Sequence, residues 1–231
     1  MCDTDIQYYV NKINSNTPFS YSRYGDGEWN AILEKPGQNC DGHEYFPEMG
    51  KRLKEAILNP LDYIYAIQGA ALRGDGKKIA LLLKHNNVTL SWHNSDIFHY
   101  ANIDGRLFPL IAALRKKPVA LIGPAHLKKL KETCFGYDTF LEVPPKNCYN
   151  HLDKIKQDII SYGTDKKGVV YSFSASMPAN ILIHELFPLL GRDNWLIDFG
   201  SLWDIYVGVK SRGHYDSDEW EATIRKNLTG K

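Results

Sequence analysis

Pro118-Val119-Ala120-Leu121-Ile122-Gly123 sets four consecutive apolar side chains between a proline and a glycine. Side chains alternate between the two faces of a strand, so a run that is apolar at every position has no polar face to give to water. Such a strand is buried on both sides, as in a parallel sheet covered by helices. Val169-Val170-Tyr171, within Gly168–Phe173, repeats the pattern. Further short runs at Phe19–Arg23, Tyr63–Gln68, Val88–Trp92, Thr139–Val143 and Trp195–Asp198 read as the remaining strands. Helical patterns alternate with them: about Thr4 to Asn14, a turn at Trp29–Leu33, then Glu44–Leu58, Gly76–His85, Asp104–Arg115, His126–Cys134, Tyr149–Tyr162 and Ser176–Leu190. That alternation predicts an α/β fold with a mainly parallel sheet flanked by helices.

A chain of 231 residues buries about 70–75% of its unfolded surface, and one domain is the expectation at this size. Glu34–Gly42 reads as a loop, and the chain after Gly208 is polar and weakly patterned; neither is long enough to link two domains. No fixed-period repeat is present. The 28 basic and 27 acidic residues leave a net charge of +1, so no global field recruits nucleic acid or an anionic membrane. Any anion must be held by local groups. Cys2, Cys40, Cys134 and Cys148 show no C-x-x-C pair or metal-like spacing, which fits reduced thiols in a cytoplasm. No basic segment followed by an apolar run marks a signal peptide. The longest apolar stretch, Ile181–Phe187, is interrupted by His184 and Glu185, reads as a core helix and is too short to span a bilayer.

In open α/β sheets ligands bind beyond the carboxyl ends of the strands. At the end of the first strand stands Arg23-Tyr24-Gly25-Asp26-Gly27-Glu28. In an extended segment or open turn Asp26 and Glu28 project to the same side, where one cation meets both carboxylates. Gly25 and Gly27 can take positive φ and let a bulky anion reach the backbone N–H groups. Arg23 is then placed to pair with phosphate or to orient an acid. Mg²⁺ and Mn²⁺ bind through one or two carboxylates plus substrate phosphates. The competing reading is a solvated Gly-Asp-Gly turn.

Other strand ends contribute polar groups. Pro144-Pro145 stops one strand and releases Lys146-Asn147, a phosphate contact or a solvated lysine. Ser174-Ala175-Ser176-Met177-Pro178 reads as a capping serine with proline in the first helical turn, whose N–H groups suit an anion as well as an ordinary cap. Asp198, in Leu196-Ile197-Asp198-Phe199-Gly200-Ser201, adds a carboxylate or a helix cap. His93, Asp96 and His99 have helical spacing that suggests zinc, but the tetrahedral set lacks further ligands, and His85 and His126 bear no spacing relation to them. Sugar or acceptor contacts suit Trp92 to Asn94 better, and a plain loop better still. Trp29, Trp195, Trp203 and Trp220 read as core. Neither G-x-G-x-x-G after a strand nor G-x-x-x-x-G-K-[ST] is present, and Gly123-Pro124-Ala125-His126 lacks the needed glycines.

Arg23 to Glu28 resembles the R-[FY]-G-D-G-E signature of the GT-D-type glycosyltransferases, first catalogued as a domain of unknown function. Pro145-Lys146-Asn147, followed by Tyr149 and Asp153, is similar to that family's P-x-K-N-x-[FY] segment. Ser172 to Ala179 stands where the family has a small-residue turn, and Ile197-Asp198-Phe199-Gly200 is similar to its closing D-x-G motif. The match runs roughly from Phe19 to Tyr206. It departs at Ser201, where the family pattern has histidine, at the serine-rich turn, and at Trp203 between Leu202 and Asp204.

The resemblance implies a Rossmann-like core and a hexosyltransferase-type enzyme in which Asp26 and Glu28 hold Mn²⁺ or Mg²⁺ against the diphosphate of a nucleotide sugar, here a UDP-sugar. Arg23, Gly25, Gly27, Lys146, Asn147, Ser174 and Ser176 are the donor-side candidates. Asp198 and Asp204 are the candidates for a general base, and the acceptor is a glycan, lipid-linked or protein hydroxyl. Two other classes remain open: a silent nucleotide-sugar or phosphate binding module, and a metal-dependent phosphoesterase, which wants more carboxylates or histidines around two metals.

Overall fold

Val119 and Leu121 are buried in one apolar cluster, while Ala120 and Ile122 are buried in another on the opposite side of the sheet. The same alternation recurs in the strand that ends at Asp198, where Trp195 and Ile197 join the first cluster and Leu196 the second. The computed structural model describes residues 5–212 and 220–231. Among them a single seven-stranded sheet carries β1 (Ser20–Tyr24), β2 (Ile64–Ile67), β3 (Trp92–Asn94), β4 (Val119–Gly123), β5 (Thr139–Glu142), β6 (Val170–Phe173) and β7 (Trp195–Asp198). The order is β3-β2-β1-β7-β6-β4-β5 and every pairing is parallel. The chain winds outward from β1 to β3, crosses to β4, reaches the other edge at β5 and returns through β6 to place β7 beside β1. Register pairs Tyr21 with Ile197 and Phe173 with Asp198, which brings the ends of β1, β6 and β7 together at the centre.

Helices cover both faces. α1 (Ile6–Asn14) begins at Asp5, whose carboxylate accepts from the Ile6 N–H at 2.6 Å. It packs with α5 (Ile97–Ile103), α6 (Phe108–Leu114), α7 (Leu130–Thr133) and α10 (Trp220–Thr229) around the cluster holding Val119 and Leu121. α2 (Asp26–Ile32), α3 (Pro47–Leu58), α4 (Gly69–His85), α8 (Leu152–Gly163) and α9 (Pro178–Leu186) cover the other. The apolar residues of Ile181–Leu186 are buried in α9, and its partly exposed polar groups face partners: His184 meets the Tyr63 hydroxyl at 3.2 Å and Glu185 pairs with Arg52 at 2.7 Å. Among the described residues no helix is long and apolar enough to cross a membrane.

The sheet is where the sequence patterns place it, with one shift. Val88–Leu90 forms no strand, and β3 begins at Trp92. The helices depart more. α4 starts at Gly69, earlier than Gly76, because glycines inside a helix look like stops. Asp104–Arg115 is α6 alone, preceded by the unforeseen α5. Asp26 and Glu28 belong to α2 itself, which starts ahead of Trp29. The weakly patterned tail contains α10. Thr4 and Cys2 lie outside the described residues; Cys40, Cys134 and Cys148 are free thiols.

Candidate active site

The carboxyl ends of all seven strands, or the turns that follow them, open into one cavity of about 510 Å³. At its centre β1 delivers Arg23, whose Nε donates to Asp198 Oδ2 at 3.3 Å. The other Asp198 oxygen accepts the Gly200 N–H at 2.8 Å, so this carboxylate, 3% exposed, has both oxygens engaged. Burial raises the Asp198 pKa, against the pull of Arg23; burial also disfavours the Arg23 charge, yet Asp198, with smaller help from Tyr21, Glu28 and Asp96, keeps the guanidinium protonated. Gly200 is required here on two counts. Its φ is +54°, and a Cβ would collide with the Arg23 guanidinium. Asn180, at the start of α9 and fully buried, braces the same strand end: its Oδ1 accepts from the Arg23 N–H at 2.9 Å and its Nδ2 donates to the Arg23 carbonyl at 2.7 Å.

Asp26 and Glu28 reach the cavity by a route other than an open turn. They are the first and third residues of α2, capped by Gly25. Side chains two apart on a helix diverge. Glu28 nevertheless folds back over the cap, where Oε2 accepts the Gly25 N–H at 2.8 Å, while exposed Asp26 accepts from the Gly27 N–H at 3.0 Å. Both line the cavity. Burial pushes the Glu28 pKa up to about 7, with Asp198 adding to it and backbone N–H groups and Arg23 opposing. Neither Gly25 (φ −94°) nor Gly27 has positive φ. At Gly25 the missing Cβ serves close approach instead, because the ends of the Gln68 and Glu28 side chains crowd it, whereas a Cβ at Gly27 would meet only ordinary contacts with Asn39 and Met177.

The serine turn after β6 also differs from a capped helix start. α9 begins at Pro178, and neither serine caps it. Ser176 has φ +54°, a conformation that costs a non-glycine residue of order 1 kcal/mol or more. Its hydroxyl accepts from Asn39 Nδ2 at 3.1 Å. Ser174 Oγ is buried at the cavity wall with no partner among the described residues. An unpaired buried hydroxyl costs about 1–3 kcal/mol unless a ligand satisfies it. Lys146 and Asn147 are not brought into the lining. Lys146 is exposed beside Gly42, and Asn147 (φ +51°) is a clamp: its N–H donates to His43 Nδ1 at 3.1 Å and its Oδ1 accepts from the Glu44 N–H at 2.9 Å.

Asp204 lines the cavity, hydrogen-bonded through Oδ1 to His126 Nε2 at 2.8 Å. His126 lies in a 3₁₀ turn (Ala125–Lys129) straight after β4, and Asp204 opens another (Asp204–Val207) after β7. Trp203, buried against Phe135 and Phe199, donates to Ser172 Oγ at 3.1 Å and fixes that second turn. The strand-end position of Gly123-Pro124-Ala125-His126 is the signal for His126; no spacing rule contains it. Asp41, Asp96, His99 and Arg212 are further cavity residues that sequence motifs did not single out for it. Arg212 grips Asp41 with both terminal nitrogens, at 2.5 and 3.2 Å. Trp92 packs with Tyr24 and Trp29 in the core, and His93 Nδ1 meets the Tyr9 hydroxyl, so Trp92 to Asn94 do not form the wall.

No group of three or more His, Cys, Asp or Glu side chains among the described residues is arranged to hold a metal. That donor set does not suit zinc, including at His93, Asp96 and His99. Two carboxylates at a cavity wall do suit a hard cation that completes its shell with phosphate oxygens and water, as Mg²⁺ and Mn²⁺ do.

No family model matches the chain, and no curated protein matches it. Two solved structures share its architecture, each with a TM-score of 0.62 at 15% identity, over 95% of this chain and 93% of the other. One is described as the selenomethionine-substituted domain of unknown function 1792, the other as that highly conserved domain with a distinct glycosyltransferase fold. At this identity the likeness is one of fold.

Proposed function

We propose that the chain is a metal-dependent glycosyltransferase that moves a sugar from a nucleotide diphosphate, with UDP as the expected nucleotide, to an acceptor hydroxyl. The observation that carries the reading is the charge of the cavity. Its lining holds Asp26, Glu28, Asp41, Asp96, Asp198 and Asp204 against Arg23 and Arg212. Six carboxylates repel a diphosphate unless a cation enters with it. Asp26 and Glu28, at the mouth of α2, are the residues to hold that cation, and the family motif resembles them position for position. When bound, the cation neutralises charge building on the departing diphosphate. Ser174 Oγ, buried at the cavity wall with no hydrogen-bond partner among the described residues, is the hydroxyl we assign to a phosphate oxygen. Arg23 pairs with Asp198 and offsets part of the negative charge at the cavity centre. The shared architecture with a structure described as having a glycosyltransferase fold supports the same reading.

Thermal melting with a panel of nucleotide-diphosphate sugars, in Mn²⁺, Mg²⁺ or chelator, tests it beside Asp26→Ala. At a hundredfold excess over the dissociation constant, a ligand stabilises by about 2.7 kcal/mol. The expected shift needs both metal and Asp26, and turnover yields nucleoside diphosphate together with a glycosylated acceptor. Release of inorganic phosphate instead would identify a phosphoesterase, and no metal-dependent shift with any donor would end the proposal.

A further inference from the structure

Resting on the transferase reading, we infer that His126 is the general base that takes the acceptor hydroxyl's proton, with Asp204 as its positioning residue, and that transfer inverts the anomeric carbon. Three observations carry this. First, the hydrogen bond dictates the tautomer. A carboxylate only accepts, so the ring nitrogen facing Asp204 carries the hydrogen and Nδ1 keeps its lone pair. The pairing is the base-and-orienting-carboxylate arrangement that general base chemistry uses. Second, the pair is placed on the substrate path. Both residues line the cavity, with the His126 side chain a third exposed and Asp204 largely buried behind it. A Cβ on Gly123, at the end of β4 just before the turn that holds His126, would touch the Ser174 side chain, so the strand end leading to His126 adjoins the turn assigned to phosphate.

Third, the other carboxylates are committed. Both Asp198 oxygens are engaged, Asp26 and Glu28 are the pair assigned to the cation, and Asp41 is gripped by Arg212. Asp96 remains; burial raises its pKa, and it faces Arg23 and Gln68 on the flank of the cavity next to β3. It is the comparator in the test.

The step balances as follows. The acceptor O–H proton passes to His126 Nδ1 as the acceptor oxygen's electron pair bonds to the anomeric carbon from the face opposite the diphosphate. The bond from that carbon to the diphosphate oxygen breaks, and its electron pair leaves with the nucleoside diphosphate. The imidazolium faces the Asp204 carboxylate and returns its proton to solvent after product departs. In Asp204→Asn the carboxylate charge that faces the imidazolium is lost and the amide no longer enforces one tautomer, with the ring still in place.

The experiment uses the full chain with Mn²⁺, the UDP-glucose, UDP-galactose and UDP-N-acetylglucosamine donors, and p-nitrophenyl glycosides or water as acceptors. Donor affinity is measured by calorimetry, turnover by UDP release across pH, and product anomer by NMR. His126→Asn and Asp204→Asn are expected to bind donor within about threefold of wild type and to lose 10²- to 10⁴-fold in kcat, the span of general base contributions. The fall in rate on the acid side, where the imidazole is protonated, disappears from the residual activity of His126→Asn and persists in Asp96→Asn. Donor binding doubles as the check of folding, and His126→Gln is a second variant at the same position. A product of retained configuration, or wild-type turnover and pH profile in His126→Asn, overturns the base assignment and leaves the transferase reading standing. A wild-type chain that binds no donor, or binds without turnover, overturns both.

Discussion

Glu28 is asked to be two things, and its proton registers the conflict. As the third residue of α2 it must accept the Gly25 N–H, which favours the carboxylate; burial and the neighbouring Asp198 favour the acid and win, raising its pKa from an ordinary 4.5 to about 7. Between those values the folded chain holds a proton that the unfolded chain has released. Stability therefore falls as pH rises through that window. Melting temperature should drop between pH 5 and pH 8 in wild type and drop less in Glu28→Gln. Some slope remains in the variant, because burial raises Asp198 and Asp96 in the same sense. An unchanged slope in scanning calorimetry would show that Glu28 is not the buried acid. The residue scale also explains why the acidic motif is legible in sequence while its geometry is not. Asp26-Gly27-Glu28 is a composition, whereas the fold-back of Glu28 rests on its bond to the Gly25 N–H, at a residue whose missing Cβ leaves Glu28 and Gln68 room.

At the scale of elements, legibility follows burial. β4, β6 and β7 are apolar at nearly every position because both faces are covered, so their sequences have one reading. β3 is an edge strand of three partly buried residues, and the expectation there slid to Val88–Trp92. α4 hides behind Gly69, Gly74 and Gly76, and α10 behind a polar face. The site suffers most where loops assemble it. Asn147, expected at a phosphate, instead fastens the turn after β5 to the loop that carries Asn39, Asp41 and His43 into the cavity. No local pattern encodes a bond over 103 residues of sequence. Asn147→Ala loses the side-chain bonds and an asparagine's tolerance of positive φ, together about 1–3 kcal/mol in urea unfolding. Asn147→Gly keeps the φ and loses the bonds, so it should cost less than alanine. Equal costs would mean that the backbone conformation contributes nothing.

Over the whole molecule, charge is balanced in sum and divided in space. The net charge of +1 gives no hint of a cavity in which carboxylates outnumber guanidiniums. The two arginines there are not equivalent. Arg23 is fixed at the centre by Asp198 and by the brace of Asn180 on its strand. Arg212 reaches in from beyond β7 and holds Asp41, about a third exposed on each side. A pair so exposed to water contributes about 0–1 kcal/mol to folding. Its cation therefore costs little to redirect, and a diphosphate offers it two charged acceptors in place of one. Arg212→Ala should leave urea unfolding within about 1 kcal/mol of wild type while weakening UDP-sugar binding roughly tenfold, the value of one charge-assisted contact. Asp41→Asn frees the same guanidinium and should bind donor at least as well as wild type. Calorimetric titration of both variants with UDP-glucose and Mn²⁺ separates the cases. Weakening in both would mean that the Arg212–Asp41 pair acts as a unit that shapes the cavity mouth, and weakening in neither would remove Arg212 from the donor site.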